Sequence, residues 1–170
     1  MAGNDGATWN SYSNGRVSSV RYGYAALDLD RGRRLGAGTS WHSHLSAILT
    51  GSPLPDPERL SLGGLDAVRG YGFDDASVEA GAIWRNEVRL PGFGLRASGR
   101  DRLRPYLFVD IASGQDRASG TSTTLVARGL GVDYAAGGLT ATVTAGQALR
   151  SAGNTRAHDW TVLARLTARF

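Results

Sequence analysis

The sequence predicts an all-β fold, an antiparallel up-and-down sheet of the kind that forms a transmembrane β-barrel. Three observations predict it: short segments alternate apolar and polar residues, short and long connections alternate between them, and 24 glycines with 8% aromatic residues suit many turns. The 170 residues suffice for one domain. The mean hydropathy of -0.23 does not oppose a membrane protein, because averaging misses barrel strands that alternate in polarity.

The N-terminal part of the chain gives the weakest pattern. Residues 1–15 are polar and rich in glycine, so we expect a loop or a disordered start, with the sheet domain covering residues 16–170. The first strand is expected between Arg16 and Asp30, followed by a tight turn at Arg31-Gly32-Arg33. A second strand is predicted over Leu35 to Leu49, with one face apolar and the other polar: Trp41, Leu45, Ala47 and Leu49 oppose His42, His44 and Ser46.

Two strands in the middle of the chain carry charges on one face only. In the third strand, apolar Ala80, Ala82, Trp84, Val88 and Leu90 oppose Glu79, Arg85, Glu87 and Arg89. In the fourth, apolar Leu103, Leu107, Val109 and Ile111 oppose Arg102, Arg104, Tyr106, Phe108 and Asp110. Such a polar face meets bulk water in a sandwich or lines the lumen of a barrel, and alternation alone does not separate the two.

The last three predicted strands repeat this alternation. In the fifth, Val126, Leu130, Val132 and Tyr134 share a face that Arg128 interrupts, opposite Ala127, Gly129, Gly131 and Asp133. In the sixth, Leu139, Ala141, Val143 and Ala145 alternate with Thr140, Thr142, Thr144 and Gly146. The seventh runs from Trp160 to Phe170, and every even position is apolar.

The connections favour a barrel over a sandwich. Arg31-Gly32-Arg33, Pro91 to Arg100 and Gly137-Gly138 form the short side, whereas Thr50 to Ala76, Ser113 to Ser122 and Leu149 to Ala157 form the long side. Short turns at one end and long loops at the other are typical of outer-membrane barrels. Seven strands would leave two unpaired edges in hydrocarbon, so the pattern indicates part of a larger barrel.

Several function classes find no support in the residues. The net charge is +4, but all 19 basic residues are scattered arginines, which is not typical of a nucleic-acid groove. No cysteine is present, and His42 and His44 lack a third ligand at metal-site spacing. Glu79 and Glu87 would stand roughly 26 Å apart on a strand, too far to act on one bond. We therefore expect no enzyme, no cofactor, no metal site and no nucleic-acid partner.

The long connection carries the most informative motif. The run Leu60-Ser61-Leu62-Gly63-Gly64-Leu65-Asp66-Ala67-Val68-Arg69-Gly70-Tyr71 is rich in apolar side chains that are costly to leave in water. We therefore expect this loop, residues 50–76, to fold back into a cavity, with Gly63 and Gly64 at its turn. An arginine at the tip of a buried loop needs an anion, and alternation places Asp110 and Phe108 on the polar face.

This motif resembles the loop of the haemolysin-activator (ShlB/FhaC/HecB) family of two-partner secretion transporters, within the Omp85 superfamily. A Gly-Gly pair before Val68, Arg69, Gly70 and Tyr71 carries the resemblance, which continues in residues 84–91 and in Leu107-Phe108-Val109-Asp110. It implies the last seven strands of a sixteen-stranded barrel in the bacterial outer membrane. It also implies secretion of a large exoprotein, an Arg69–Asp110 ion pair beside Phe108, and Glu79, Arg85 and Glu87 as charges facing the lumen.

The resemblance implies two further partners, and three alternatives stay open. The final aromatic, Phe170, resembles the signal that the barrel-assembly machinery reads, and the apolar face would contact outer-membrane lipid. The alternatives are an outer-membrane protein-insertion barrel of the same superfamily, an inactive fragment, and a soluble β-sandwich that acts as a binding module.

Overall fold

The computed structural model describes residues 6–13, 15–17, 21–96 and 99–169. Its main feature is a seven-stranded antiparallel sheet in which each strand pairs with its neighbours along the chain. The strands are β1 (Ala25–Gly36), β2 (Thr39–Leu49), β5 (Ala80–Arg89), β6 (Asp101–Gln115), β7 (Ser122–Ala136), β8 (Leu139–Ala148) and β9 (Trp160–Ala168). The predicted up-and-down antiparallel topology is confirmed. β1 and β9 are the two edges of the sheet.

The smaller elements lie outside this sheet. Helix α1 (Gly6–Tyr12) precedes it, and the long connection between β2 and β5 holds a 3-10 turn (Asp56–Glu58). In the same connection β3 (Leu60–Ser61) pairs with β4 (Ser77–Val78). The segment between β2 and β5 therefore forms a hairpin that leaves the main sheet and returns to it. Among the described residues, no helix has the length and apolar character to span a membrane.

The two faces of the sheet differ in what covers them. On β6, Leu107 and Val109 are 55% and 47% exposed, whereas Tyr106 and Phe108 on the opposite face are each 3% exposed. Leu130, Val143 and Val162 continue the exposed apolar face across β7, β8 and β9. A water-soluble sheet would bury these side chains, so the outer face suits an apolar solvent.

The inner face of the sheet forms a core with the long connection. Leu62, Val68 and Tyr71 of the hairpin are fully buried and pack on the β5 to β8 wall. The wall contributes Ile83, Ala112, Leu125, Ala127 and Ala148. The hairpin is therefore a packed element of the inner face, as its apolar composition requires.

The structure corrects the first two predicted strands. Arg31-Gly32-Arg33 is not a turn, because β1 continues through it and Gly32 pairs with His42. The chain turns at residues 36–38, where Gly36 (φ 98°), Ala37 (φ 48°) and Gly38 (φ 76°) all adopt the left-handed conformation. Glycine adopts that conformation without strain, and two glycines fix this turn. The second strand consequently begins at Thr39 rather than Leu35.

The predicted loop at the start of the chain is also corrected, because residues 6–12 form α1. Ser13 follows the helix, and its hydroxyl donates to the carbonyl oxygen of Asn10 and accepts from the backbone N–H of Val17. These local bonds end the helix and turn the chain toward Val17, which is 3% exposed. This short segment has no apolar residues recurring at helical spacing, so the sequence pattern did not reveal it.

Candidate functional site

The hairpin that enters the inner face turns at two glycines. Gly63 and Val68 form a bridge across the turn, and Gly64 has φ 112°. A Cβ at Gly63 would lie 2.2 Å from the carbonyl oxygen of Gly72, so no other residue fits there without moving the returning chain. The two glycines of the motif thus let the two arms of the hairpin approach closely.

Arg69 lies between the hairpin and the wall, and it is 1% exposed. Its Nε donates to Asp110 Oδ2 at 2.7 Å, its Nη2 donates to Asp110 Oδ1 at 2.7 Å, and its backbone N–H donates to Oδ2 at 3.1 Å. Its Nη1 donates to Glu87 Oε1. Two carboxylates from neighbouring strands therefore face one guanidinium, a geometry in which bidentate hydrogen bonding strengthens the ion pair.

Aromatic rings form the floor beneath the guanidinium. The Arg69 Cζ lies 3.9 Å from the ring centroid of Phe108 and 5.7 Å from that of Tyr106. The Tyr106 hydroxyl is 2.6 Å from the hydroxyl of Thr144 on β8, so the ring is held in place. Stacking on an aromatic face adds to the ion pair and favours arginine over lysine.

Glycines of the wall provide the space for these side chains. A Cβ at Gly146 would lie 2.2 Å from the Arg69 carbonyl oxygen, and one at Gly129 would lie 2.6 Å from the Phe108 ring. A Cβ at Gly131 would lie 2.3 Å from the Tyr106 ring. Sequence reasoning placed these three glycines on the polar face but gave them no role. Their only signal in the sequence was small size at positions predicted to face inward.

The other residues of the tetrad fix the hairpin to the end of the wall that carries the long connections. Val68 is fully buried, and Gly70 (φ 140°) passes so close to β7 that a Cβ would lie 2.9 Å from that of Ala127. The Tyr71 hydroxyl lies 3.0 Å from the Val126 carbonyl oxygen and 2.8 Å from that of Arg150, and it accepts from both backbone N–H groups. The Tyr71 hydroxyl thus provides hydrogen-bond partners for backbone groups of β7 and of the chain just after β8.

The charges next to Arg69 continue along the wall. Glu87 also accepts from Arg89 at 2.9 Å, and Arg89 lies 3.3 Å from Asp133 on β7. Asp133 in turn accepts from the Thr142 hydroxyl at 2.7 Å. Arg85 faces the same space, with its Nη2 3.7 Å from Glu87. The structure thus brings Arg69, Asp110, Glu87 and Arg85 together, and sequence reasoning had not paired Glu87 with Arg69.

Glu79 belongs to a different cluster at the loop end of the wall. It is fully buried and forms an ion pair with Arg16 at 2.9 Å, and the Arg59 Nε is 3.7 Å away. Asp116 accepts from Arg16 at 2.7 Å and from Arg59 at 2.9 Å. Although burial alone raises the pKa of Asp116, hydrogen bonds from the Ser119 N–H and from Arg16 hold it below its usual value. This cluster fastens the N-terminal segment.

Two aspartates of the hairpin contact residues that lie much later in the chain. Asp75 accepts from the Asn154 N–H at 2.8 Å and the Thr155 hydroxyl at 2.6 Å, both in the β8–β9 loop. Burial alone raises the pKa of Asp75, but these hydrogen bonds outweigh it and keep the pKa below its usual value. Asp66, near the hairpin turn, accepts from Arg165 on β9, and this bond lowers the pKa of Asp66.

The remaining predicted residues lie apart from Arg69 or outside the described chain. His44 Nδ1 is 2.8 Å from Asp30 on β1, and His42 Nε2 is 3.1 Å from the Ser40 hydroxyl. Within the described ranges, no group of three or more histidine, aspartate or glutamate side chains could hold a metal ion. Phe170, the predicted assembly signal, lies outside the described residues.

The fold and this site define a class: a β-barrel wall with a loop folded onto its inner face. The family model described as "Haemolysin secretion/activation protein ShlB/FhaC/HecB" matches residues 4–134, and the chain belongs to this family. The predicted resemblance is confirmed. A comparison with curated protein sequences finds no match.

Two solved structures share the fold. CdiB from Escherichia coli superposes with a TM-score of 0.75 at 22% identity, over 91% of this chain and 29% of that one. CdiB from Acinetobacter baumannii gives 0.67 at 18% identity, over 88% of this chain and 28% of that one. The predicted barrel fold is confirmed, and the chain spans less than a third of the length of either neighbour. The sheet, with edges at β1 and β9, corresponds to part of a barrel wall.

Proposed function

We propose that this chain forms part of the wall of an outer-membrane transporter that moves a large exoprotein to the cell surface by the two-partner pathway. In this proposal the hairpin of residues 60–78 occupies the lumen, and Arg69 helps to hold it there. The protein acts by transport and not by catalysis. The observation that carries the proposal is the buried contact of Arg69 with Asp110 and Glu87 at the tip of the family's loop motif.

The energetics of this contact support a device that holds the loop. Arg69 and Asp110 are both at most 1% exposed, so removing either leaves a buried charge without its partner. Such a loss costs about 3–5 kcal/mol. The hairpin cannot easily shift to give the remaining charge a new partner, because Gly146 and Gly70 hold its backbone close against β7 and β8. The Arg69 ion pair is therefore one of the contacts that fix the position of the hairpin, and charge substitutions can break it.

A charge swap tests the proposal in the full-length transporter with its secreted partner. We expect Arg69→Asp and Asp110→Arg each to reduce the secreted partner about tenfold or more, and the double variant to recover part of it. Arg156→Asp, on an exposed loop residue, is the matched control and should secrete like the parent. Immunoblotting of outer membranes verifies equal barrel levels. Parent-level secretion by both single variants would reject the proposal.

The proposal extends to the surroundings of the wall. The exposed apolar face of β6 to β9 would contact outer-membrane lipid, because its side chains cannot be covered by the described hairpin on the opposite face. Recognition of Phe170 by the barrel-assembly machinery stays a prediction. Deleting Phe170 should lower the amount of barrel in the outer membrane while leaving the amount of chain synthesised unchanged.

A further inference from the structure

We propose that the turn end of the inner wall binds extended acidic segments of the polypeptide in transit. We call this surface the basic mouth and define it by Arg34 on β1, Arg102 and Arg104 on β6, and Arg165 on β9. The inference rests on the proposed function and adds the chemistry of the substrate that the wall favours. It concerns residues outside the Arg69 contact and outside the loop motif.

Strand register places these arginines on the inner face. Arg34 pairs with Ser40, which pairs with Arg89, and Arg89 pairs with Tyr106, a residue that contacts Arg69. One row further toward the turns, Arg104, Asp133, Thr142 and Arg165 follow one another across β6 to β9. Arg102 stands two residues beyond Arg104 on the same face of β6. The basic mouth thus crosses the wall at the end with the short turns.

Positive charge is in excess at this level of the wall. Asp133 is the acidic residue of the row, and it is already engaged by Arg89 and Thr142. Within the part of the chain that the structure describes, Arg34, Arg102 and Arg104 have no carboxylate partner, and the Arg104 Nε is buried without any hydrogen bond. At the loop end, by contrast, Arg16 and Arg59 are paired with acids. The excess of guanidinium groups over carboxylates on the inner face is therefore confined to the turn end of the wall.

A contact within the chain shows that this surface binds carboxylates. Asp66 is a carboxylate carried on a peptide hairpin inside the concave face, and Arg165 binds it although the two side chains are 74% and 52% exposed. Between β1, β2 and β6 lies a cavity of about 660 Å³, lined by Arg34, His42 and Arg104 and by the glycines of the β1–β2 turn. Arg34 and Arg104 thus present the same chemistry as Arg165, with open space before them.

Weak binding at several sites suits a moving segment. Exposed ion pairs each contribute about 0.2–1 kcal/mol and are screened by salt, so one carboxylate is not retained. Several arginines along the wall let an acidic stretch exchange partners as it advances, which is the general condition for passage through a pore. The basic mouth would therefore concentrate acidic segments at the turn end of the wall without trapping them.

Binding is tested first, because it requires no secretion. A fluorescent oligoglutamate peptide is titrated into the purified full-length transporter in detergent, and its anisotropy is measured. We expect the double variant Arg34→Gln/Arg104→Gln to lower the affinity about fivefold or more, and added salt to weaken binding by the parent. The matched control is Arg31→Gln: this arginine is on the same strand but on the outer face, over the ring of Trp41. Parent-like binding by the double variant, or an equal loss in Arg31→Gln, overturns the inference.

Secretion is tested second, with a partner that carries an acidic tract and one in which that tract is changed to glutamine. The double variant should slow export of the acidic partner and leave the neutral one at the parent rate. Equal slowing of both partners, or of neither, overturns the inference while the proposed function stands. If the parent transporter secretes neither partner, the proposed function and this inference are both rejected. Equal heat-modifiable migration of parent and variants shows that the barrels are folded.

Discussion

At the scale of single residues, the site depends on the shape of the arginine side chain as much as on its charge. The Arg69 guanidinium donates to both oxygens of Asp110, donates to Glu87 and lies on the ring of Phe108. A lysine carries the same charge but has no planar fork. Charge and geometry can therefore be separated experimentally at this position.

We expect Arg69→Lys to give a phenotype between the parent and Arg69→Ala. The ammonium group keeps one ion pair but loses the bidentate contact and the stacking on Phe108, a loss of about 1–3 kcal/mol. The measurement is protease cleavage within residues 50–76 of the membrane-embedded protein, compared with secretion of the partner. Lysine that protects the loop as well as arginine would show that charge alone holds it.

We expect Gly146→Ala to displace the hairpin although it removes no contact. The new Cβ would lie 2.2 Å from the Arg69 carbonyl oxygen, and relief of the clash should cost about 1–3 kcal/mol. Gly51→Ala is the control, because a Cβ there has no atom within 4 Å. The same protease assay should report cleavage in Gly146→Ala only. An uncleaved hairpin in this variant would mean that the close approach is unimportant.

Sequence reasoning reached the charged members of the site but not the space around them. Alternation put Asp110 and Phe108 on the inner face, and the motif pointed to Arg69. The roles of Gly129, Gly131 and Gly146 depend on where side chains from other strands lie, and a period-two pattern carries no such information. Glu87 was placed on the correct face, but its contact with Arg69 requires the register between β5 and β6.

At the scale of elements, the hairpin is fastened to the wall at its base as well as at its tip. Asp75 joins the returning arm to the β8–β9 loop through Asn154 and Thr155, and it also accepts from the Gly72 N–H at 2.6 Å. The carboxylate thus bridges two loops that are far apart in sequence. Its charged form makes all three hydrogen bonds, so the bridge depends on pH.

We expect this bridge to weaken in acid. The folded-state pKa of Asp75 lies below its usual value of about 3.9, so the stabilisation is full above that value and is lost as the pH falls through the folded-state pKa. The protection of residues 153–155 against hydrogen exchange, taken relative to the intrinsic exchange rate at each pH, should therefore fall below about pH 4 in the parent. Asp75→Asn should exchange faster at neutral pH, whereas the exposed neighbour variant Asp74→Asn should match the parent. No difference between the two variants would exclude the bridge.

The elements also show which boundaries a sequence conveys. The five strands after the long connection follow their predicted faces, because a strand whose two faces meet different environments must alternate apolar and polar residues. β1 was placed too early, since Arg31 and Arg33 on its outer face break the apolar pattern and Gly32 resembles a turn. Helix α1 had no periodic pattern long enough to detect.

At the scale of the whole molecule, the polarity of the two faces of the sheet is the reverse of that in a soluble protein. Its exposed outer face is apolar, and its inner face holds the buried charges, so one strand should report two environments. The chain contains no cysteine, which makes single cysteine substitutions informative. Val143 faces outward on β8, and Thr140 faces inward on the same strand; both are exposed in the sheet.

We expect Val143→Cys to resist a membrane-impermeant maleimide in outer-membrane vesicles and Thr140→Cys to react. Lipid shields the first position, whereas the second lines a water-filled space. Denaturing the vesicles in detergent should make the two cysteines equally reactive, which controls for labelling chemistry. Rapid labelling of both residues in intact vesicles would indicate a sheet with water on both faces and would return the soluble sandwich to consideration.

The contacts of the hairpin have a consequence for the order of folding. Arg69 and Asp110 are 41 residues apart, Tyr71 and Arg150 are 79 apart, and Asp66 and Arg165 are 99 apart. Contacts between residues so distant in the chain carry a large loop-closure entropy and form slowly. The strands that hold these partners must be laid down before the hairpin can dock. We therefore expect docking of the hairpin to follow formation of the strands that hold its partners, so that the inner face of the wall is complete before the hairpin covers it.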